Sequence, residues 1–244
     1  MITSLKDVNL FMKNEKVDEL RASNRMLMRY GASAFFGMPI CYIVMFLVFG
    51  VALSIPPTAT VGEKIAFIES QQSLISFAYI AGYLLFGCLL LVAVQATHRR
   101  LNMVPSHLLN TASIFGYIWV VLMFGAGMTA LVGMNTMLSL NAKGSPYSDT
   151  LFYVYTTVTN GLGGGIELVG GMWVLLISLY GLQQAQSEKR LHTVGLVVGT
   201  LGILTLFQSV AEIKAAFGLS QIAWFIWMGY VLLKDTTHNY EKPH

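Results

Sequence analysis

The sequence predicts an all-α integral membrane protein of six transmembrane helices, with both termini cytoplasmic and an amphipathic helix ahead of the first span. Three observations carry this expectation. Of 244 residues, 55% are hydrophobic and only 11% charged, against about 25% charged in a soluble domain. The deficit is regional: 31–53 and 111–134 contain no charged residue, and uncharged apolar runs of ~20 residues match the hydrocarbon thickness of a bilayer. The basic residues, lastly, are rich and poor by turns between successive apolar runs.

Residues 1–29 read as a cytoplasmic or interfacial helix. Val8, Phe11, Met12 and Leu20 fall roughly on one side, and Lys6, Lys13, Lys16 and Arg21 supply charge for anionic lipid. Asp7, Glu15, Asp18 and Glu19 dilute that attraction, so a solvated helix leading into the first span stays open as an alternative. A transmembrane domain over 30–234 divides into spans at 31–53, 75–96, 111–135, 152–182, 193–209 and 219–233, and 235–244 forms a cytoplasmic tail.

Charge placement sets the orientation. Lys13, Lys16, Arg21, Arg25 and Arg29 precede span one; loop 54–74 holds Lys64 against Glu63 and Glu69. Arg99 and Arg100 follow span two, Lys143 and Asp149 lie in the next loop, and Lys189 and Arg190 follow span four. Glu212 and Lys214 balance the last short loop, and Lys234 opens the tail. Counting basic residues then places both termini inside. In loop 54–74, Ile65, Phe67 and Ile68 are placed on the outer membrane face.

Several chemistries lack their parts. Cys41 and Cys88 lie inside apolar spans without metal-ligand spacing and read as unpaired thiols. The five histidines (His98, His107, His192, His238 and His244) cluster toward the cytoplasmic side, and no His-Glu-x-x-His occurs. "GLGGG" at 161–165 is followed by no lysine, so it is not a phosphate loop. A net charge of +3 with scattered bases gives no nucleic-acid stripe. The expectation is a non-enzymatic protein with no cofactor and no metal site.

Span four carries the feature of most interest, six glycines (161, 163, 164, 165, 170 and 171) around one acid, Glu167. From Asp149 to Gln183 a continuous helix would run ~51 Å, against a hydrocarbon core of ~30 Å, so the segment either tilts and projects or breaks at "NGLGGG". On one helix, Asn160, Gly163, Gly164, Glu167, Gly170, Gly171, Val174 and Ser178 share a stripe facing protein. Ile166, Leu168, Val169, Trp173, Leu176 and Ile177 then face lipid. The spacings Gly161/Gly165 and Gly195/Gly199 predict close packing of spans four and five. Glu167 lies about one turn below the outer surface on this register. The candidate ligand-binding set is Glu167, Lys214, Asn160, Gly163, Gly164 and Gly170, with Lys214 as the nearest cation by topology; a helix-fastening role for Glu167 is the other reading.

The stretch "VGEKIAFIESQQSLISFAYIAGYLLFGCLLLVAVQATHRRLN", with "GGGIELVGGMWVLLISLYGL" and "LHTVGLVVGTLGILTLF", resembles a bacterial family of six-span membrane proteins without assigned chemistry. The family's usual proline before span five is replaced here by His192 and Thr193. The resemblance implies six spans in a bacterial plasma (inner) membrane and transfers no site. Expected partners are membrane lipids and further copies of the chain or a larger membrane complex. The first expectation for function is an accessory, scaffold or sensory subunit acting through helix packing. The alternative is a small transporter or ligand- or ion-binding protein using the carboxylate of span four.

Overall fold

Every regular element in the computed structural model is helical among the residues it describes, namely 5–53, 56, 58–102, 104–164, 167–184, 188–208 and 210–238. Five segments are long and apolar enough to cross a membrane: Glu15–Ala52, Gln72–Leu101, His107–Ala142, Ser148–Gln183 and Glu212–Thr236. The remaining predicted span is helix α8, Lys189–Leu204. Its 16 residues reach only ~24 Å, and the chain turns at Thr205 instead of continuing to 209.

Helix α1 (Leu5–Met45) runs without interruption through the boundary expected near residue 29. Gly31 does not break it, because its missing β-carbon is where α1 meets Ala96 of the helix beside it. The side chains of Val8, Phe11 and Met12 lie outside the described residues; Leu20 is exposed. A π-helical turn, Phe46–Ala52, ends the first span.

Helix α2 (Val61–Ser70) starts at a capping box. The Thr60 hydroxyl accepts from the Glu63 N–H at 3.3 Å, and the Thr60 N–H donates to the Glu63 carboxylate at 2.7 Å. That N–H holds the Glu63 carboxyl below its ordinary range. The capping box is therefore intact above the usual carboxylate pKa and is lost as pH falls through the depressed one. Replacing Thr60 with alanine is expected to speed amide exchange in the first turn of α2 about fivefold, read by hydrogen–deuterium exchange, with α5 unchanged. Ile65 and Ile68 are not on a membrane face as expected. They are buried in a small second core with Ile75, Met134, Met137, Leu138 and Tyr155, because α2 lies over the far end of the next helical hairpin.

Span two comprises α3 (Gln72–Tyr79), a π-helical turn Ile80–Leu85, and α4 (Phe86–Leu101). Helix α5 (His107–Ala142) follows, at ~54 Å far longer than a hydrocarbon core. Span four is broken. Helix α6 (Ser148–Thr159) passes into a π-helical turn, Asn160–Gly164, in which Gly163 leaves helical geometry, and α7 (Leu168–Gln183) begins after Glu167. Gly165 and Ile166 lie outside the described residues. Helix α9 (Ala211–His238) closes the bundle.

The principal contacts run α9 to α1, α1 to α4, α4 to α5, α5 to α7, α7 to α8 and α8 to α9, so six helices form a closed ring. Aromatic side chains fill its axis. Phe35 stacks on Trp173 at 6.4 Å, Trp173 meets Trp224 edge-on at 6.0 Å, and Phe86 meets Trp119 at 5.5 Å. Rings contributed by five of the six helices thus form one buried plug.

The plug corrects the predicted lipid face of span four: Trp173 and Ile177 are both 1% exposed. The expected inward stripe (Gly170, Gly171, Val174 and Ser178) is buried as well, because α7 packs on both α5 and α8 and so buries more of its circumference than one stripe. The close approach of α7 and α8 is present, and the predicted Gly195 and Gly199 take part in it, Gly195 against Ser178, together with Gly171 and Gly202. A β-carbon on Gly202 would lie 2.6 Å from the Gly171 Cα, and one on Gly199 would lie 2.7 Å from the Leu175 nitrogen. Gly161 has nothing within 4 Å.

One end of the ring is tied by charge. Arg100, near the end of α4, reaches Glu188 at 3.2 Å and Asp235 of α9 at 2.6 Å. Beside it the Arg99 Nε donates to Asn24 of α1 at 2.7 Å.

Candidate functional site

Glu167 owes its position to the broken helix. After Gly163 departs from helical geometry, Glu167 occupies the N-cap of α7, with φ −100° and ψ 25°. Its N–H donates to the Thr205 hydroxyl at 2.9 Å, and that hydroxyl donates to the Gly202 carbonyl at 2.6 Å. Its carbonyl accepts from the Gly171 N–H at 2.9 Å. The end of α8 therefore fixes the backbone of Glu167. The N-terminus of α7 also presents its dipole's positive end to the acid.

The side chain is held differently. No hydrogen bond or ion pair joins the Glu167 carboxylate to any described residue; it lines a cavity of about 180 Å³ with Cys41, Tyr42, Met45, Gly82, Tyr83, Phe86, Met123 and Gly163. Residues from α1, span two, α5 and the kink of span four thus converge on one space inside the ring. It abuts the aromatic plug, with Phe86 belonging to both, on the side away from Arg100.

Two of the three π-helical turns among the described residues contribute to the lining, and the first starts at the residue after Met45. Gly82 and Tyr83 belong to the second, and Gly163 belongs to the third. Such turns are uncommon and are enriched at functional sites. Gly82 keeps the wall open, since a β-carbon there would strike the Met45 side chain.

The aromatic walls are fixed from behind. Tyr42 donates its hydroxyl proton to Gln221 Oε1 of α9 at 2.6 Å, and Gln221 is fully buried. The Tyr42 and Phe86 rings stand nearly perpendicular, 89° apart with centroids at 5.3 Å. Phe86 backs onto Trp119 and Phe225. The arrangement offers one carboxylate, aromatic faces and thioethers, and few other oxygen atoms.

The sequence-derived set is only partly brought together. Glu167 and Gly163 share the cavity. Gly164 belongs to the adjoining π-helical turn, and Asn160 is exposed. Gly170 serves packing, since a β-carbon there would lie 2.9 Å from the Trp119 ring. Lys214 is exposed on α9 and makes no ion pair with Glu167 among the described residues. Tyr42, Tyr83, Phe86 and Gln221 were not among the candidates. Gln221 alone gave a signal, a polar residue in an apolar span.

Two other features are less suited to binding. A groove of about 440 Å³ between α5 and α6 is lined by Met128, Val132, Val154, Val158 and neighbours, with no convergent charge. Toward the Arg100 end, His192, Ser178 and Trp224 are fully buried, and the His192 ring nitrogens, Ser178 Oγ and Trp224 Nε1 have no hydrogen-bond partner among the described residues. His192 thus lies in α8 against Gly181 and not in a turn. His98 Nδ1 is 2.7 Å from Ser113 Oγ. No group of three or more potential metal ligands occurs among the described residues.

Cys41 is buried and Cys88 exposed, and both are free thiols. No family model matches the chain, and no curated protein and no solved structure matches it.

Proposed function

We propose that the protein is a six-span, non-enzymatic membrane protein that binds a small ligand at the Glu167 cavity, as a ligand-binding subunit or small transporter. The carrying observation is the convergence of two helix interruptions and one carboxylate without a hydrogen bond or ion pair among the described residues on a single cavity. Irregular backbone at membrane depth is tolerated where it is buried in protein or lines a cavity. Transporters build their substrate sites from such discontinuous helices. An ionisable residue inside a membrane segment is in itself a functional-site candidate.

Helix α8 supplies the sixth span in this account, because it completes the ring. The basic surplus beside Arg99, Arg100, Lys189 and Arg190 orients the Arg100 end to the cytoplasm and Glu167 toward the outer face of a bacterial plasma membrane. The aromatic plug separates the cavity from the cytoplasmic end, so transport would require those rings to move. Association of several copies fits the exposed apolar outer faces of the helices and of the groove between α5 and α6.

A thermal-shift screen of small organic cations, anions and neutral solutes against the protein in nanodiscs tests this. A ligand at a hundred times its Kd adds ~2.7 kcal/mol, or roughly 5 °C or more for a chain this size. At least one class should shift the wild type and leave Glu167→Gln unmoved. If no solute shifts the wild type, and Glu167→Gln and Glu167→Ala assemble with unchanged stability, the scaffold role takes its place.

A further inference from the structure

We infer that the ligand of the Glu167 cavity is a compact organic ammonium ion, held between the carboxylate and an aromatic corner. The inference rests on the binding role proposed above and names its chemistry. Charge comes first. The Glu167 carboxylate makes no hydrogen bond or ion pair among the described residues; Lys214, exposed on α9, acts on it electrostatically without direct contact. A carboxylate in a low-dielectric space favours an occupant that brings positive charge.

The walls decide which kind of cation. Hard metal ions take six or more oxygen ligands, or keep several waters. Here the side-chain oxygens are those of Glu167, Tyr42 and Tyr83, and the Tyr42 proton is already given to Gln221. The rest of the lining is Phe86, Met45, Met123, Cys41 and two glycines. That surface is apolar and polarisable, and suits an alkylammonium ion, whose charge is spread over methyl or methylene groups. Aromatic faces attract such cations through their quadrupoles, and cages of two or three rings are their usual receptors.

Geometry and size agree. Tyr42 and Phe86 meet at 89°, forming two walls of a box, and Tyr83 lines the same space. A cavity of about 180 Å³ lies below the usual ~300–1,000 Å³ of drug-sized sites, so the occupant is small. The walls are preorganised: Gln221 holds Tyr42, Thr205 holds the Glu167 backbone, and Trp119 with Phe225 backs Phe86. Little ordering is then left to the moment of binding.

The test is calorimetric titration of the full chain in nanodiscs with three probes of similar shape. They are tetramethylammonium, the neutral 3,3-dimethylbutan-1-ol and the anion pivalate. Tetramethylammonium should bind saturably, at least tenfold more tightly than either other probe. Glu167→Gln should weaken it at least tenfold, Glu167→Asp should retain the preference for the cation, and Phe86→Leu should cost roughly three- to thirtyfold. Elution volume and melting temperature establish that each variant is folded. If Glu167→Gln does not fold, the comparison of the three probes on the wild type decides alone. Equal or tighter binding of the alcohol or pivalate overturns the ammonium assignment and leaves the binding role standing. Absence of binding by all three overturns the ammonium assignment, and a blank thermal-shift screen beside it removes the binding role as well.

Discussion

Gly202→Val is expected to cost at least ~3 kcal/mol and to leave little folded protein. The β-carbon alone would lie 2.6 Å from the Gly171 Cα and 2.8 Å from the Phe217 ring. Overpacking usually costs 1–3 kcal/mol when side chains can yield, and here the obstacle on one side is backbone. The most extensive helix contact in the structure, α7 against α8, would have to separate. Thr205 would move with α8, and with it the hydrogen bond that sets the Glu167 backbone. Gly161→Ala is the control, since nothing lies within 4 Å of its added carbon, and its effect should stay within about 0.5 kcal/mol. Melting temperature and monodispersity after purification separate the two. A normally folded Gly202→Val protein would show that the two backbones do not touch.

Arg100→Ala is expected to be the most damaging change at the opposite end. The guanidinium, with side-chain exposure of 10%, bridges Glu188 at 3.2 Å and Asp235 at 2.6 Å. Its loss leaves two carboxylates facing each other at the junction of α4, the start of α8 and α9. Breaking a buried pair from one side costs 3–5 kcal/mol, and exposed pairs are worth at most about 1. With partners 20% and 38% exposed, a loss of about 2 kcal/mol is expected, or roughly 4–8 °C in Tm. Arg100→Lys should recover only part of it, because a point charge cannot serve two carboxylates through separate nitrogens. Removing Glu188 as well as Arg100 should be milder than the sum of the single changes.

The parts of this structure legible in the sequence are those with a length or a period. Apolar run lengths located the membrane-length segments, and the excess length of span four with its glycines anticipated the break near Gly163. The Gly195/Gly199 spacing anticipated the tight α7–α8 contact, which Gly171 and Gly202 also make, whereas Gly161 has no neighbour there. What stayed hidden depends on which helix meets which. Tyr42, Tyr83 and Phe86 are ordinary aromatic residues of apolar spans until α1 and span two are brought opposite Glu167. The buried face of α7 is wider than one stripe for a related reason: α7 lies between α5 and α8, so Trp173 and Ile177 are buried along with Gly170, Gly171, Val174 and Ser178. Loop topology marks Lys214 as the nearest cation, and in the structure it acts on Glu167 electrostatically while staying exposed on α9, in no ion pair with it among the described residues.

Cys41 offers the most direct measurement, because it lines the same cavity as Glu167 and is 3% exposed. In a Cys88→Ser protein, 2-aminoethyl methanethiosulfonate, itself a small ammonium, can be added and the Cys41 adduct followed by intact mass. The expected result is modification of Cys41, slowed at least tenfold by saturating tetramethylammonium and similarly by Glu167→Gln. A Cys41 that is modified at the same rate with or without tetramethylammonium and the Glu167 charge would contradict a ligand site there. So would one that reacts with a neutral methanethiosulfonate of equal size and not with the cationic reagent.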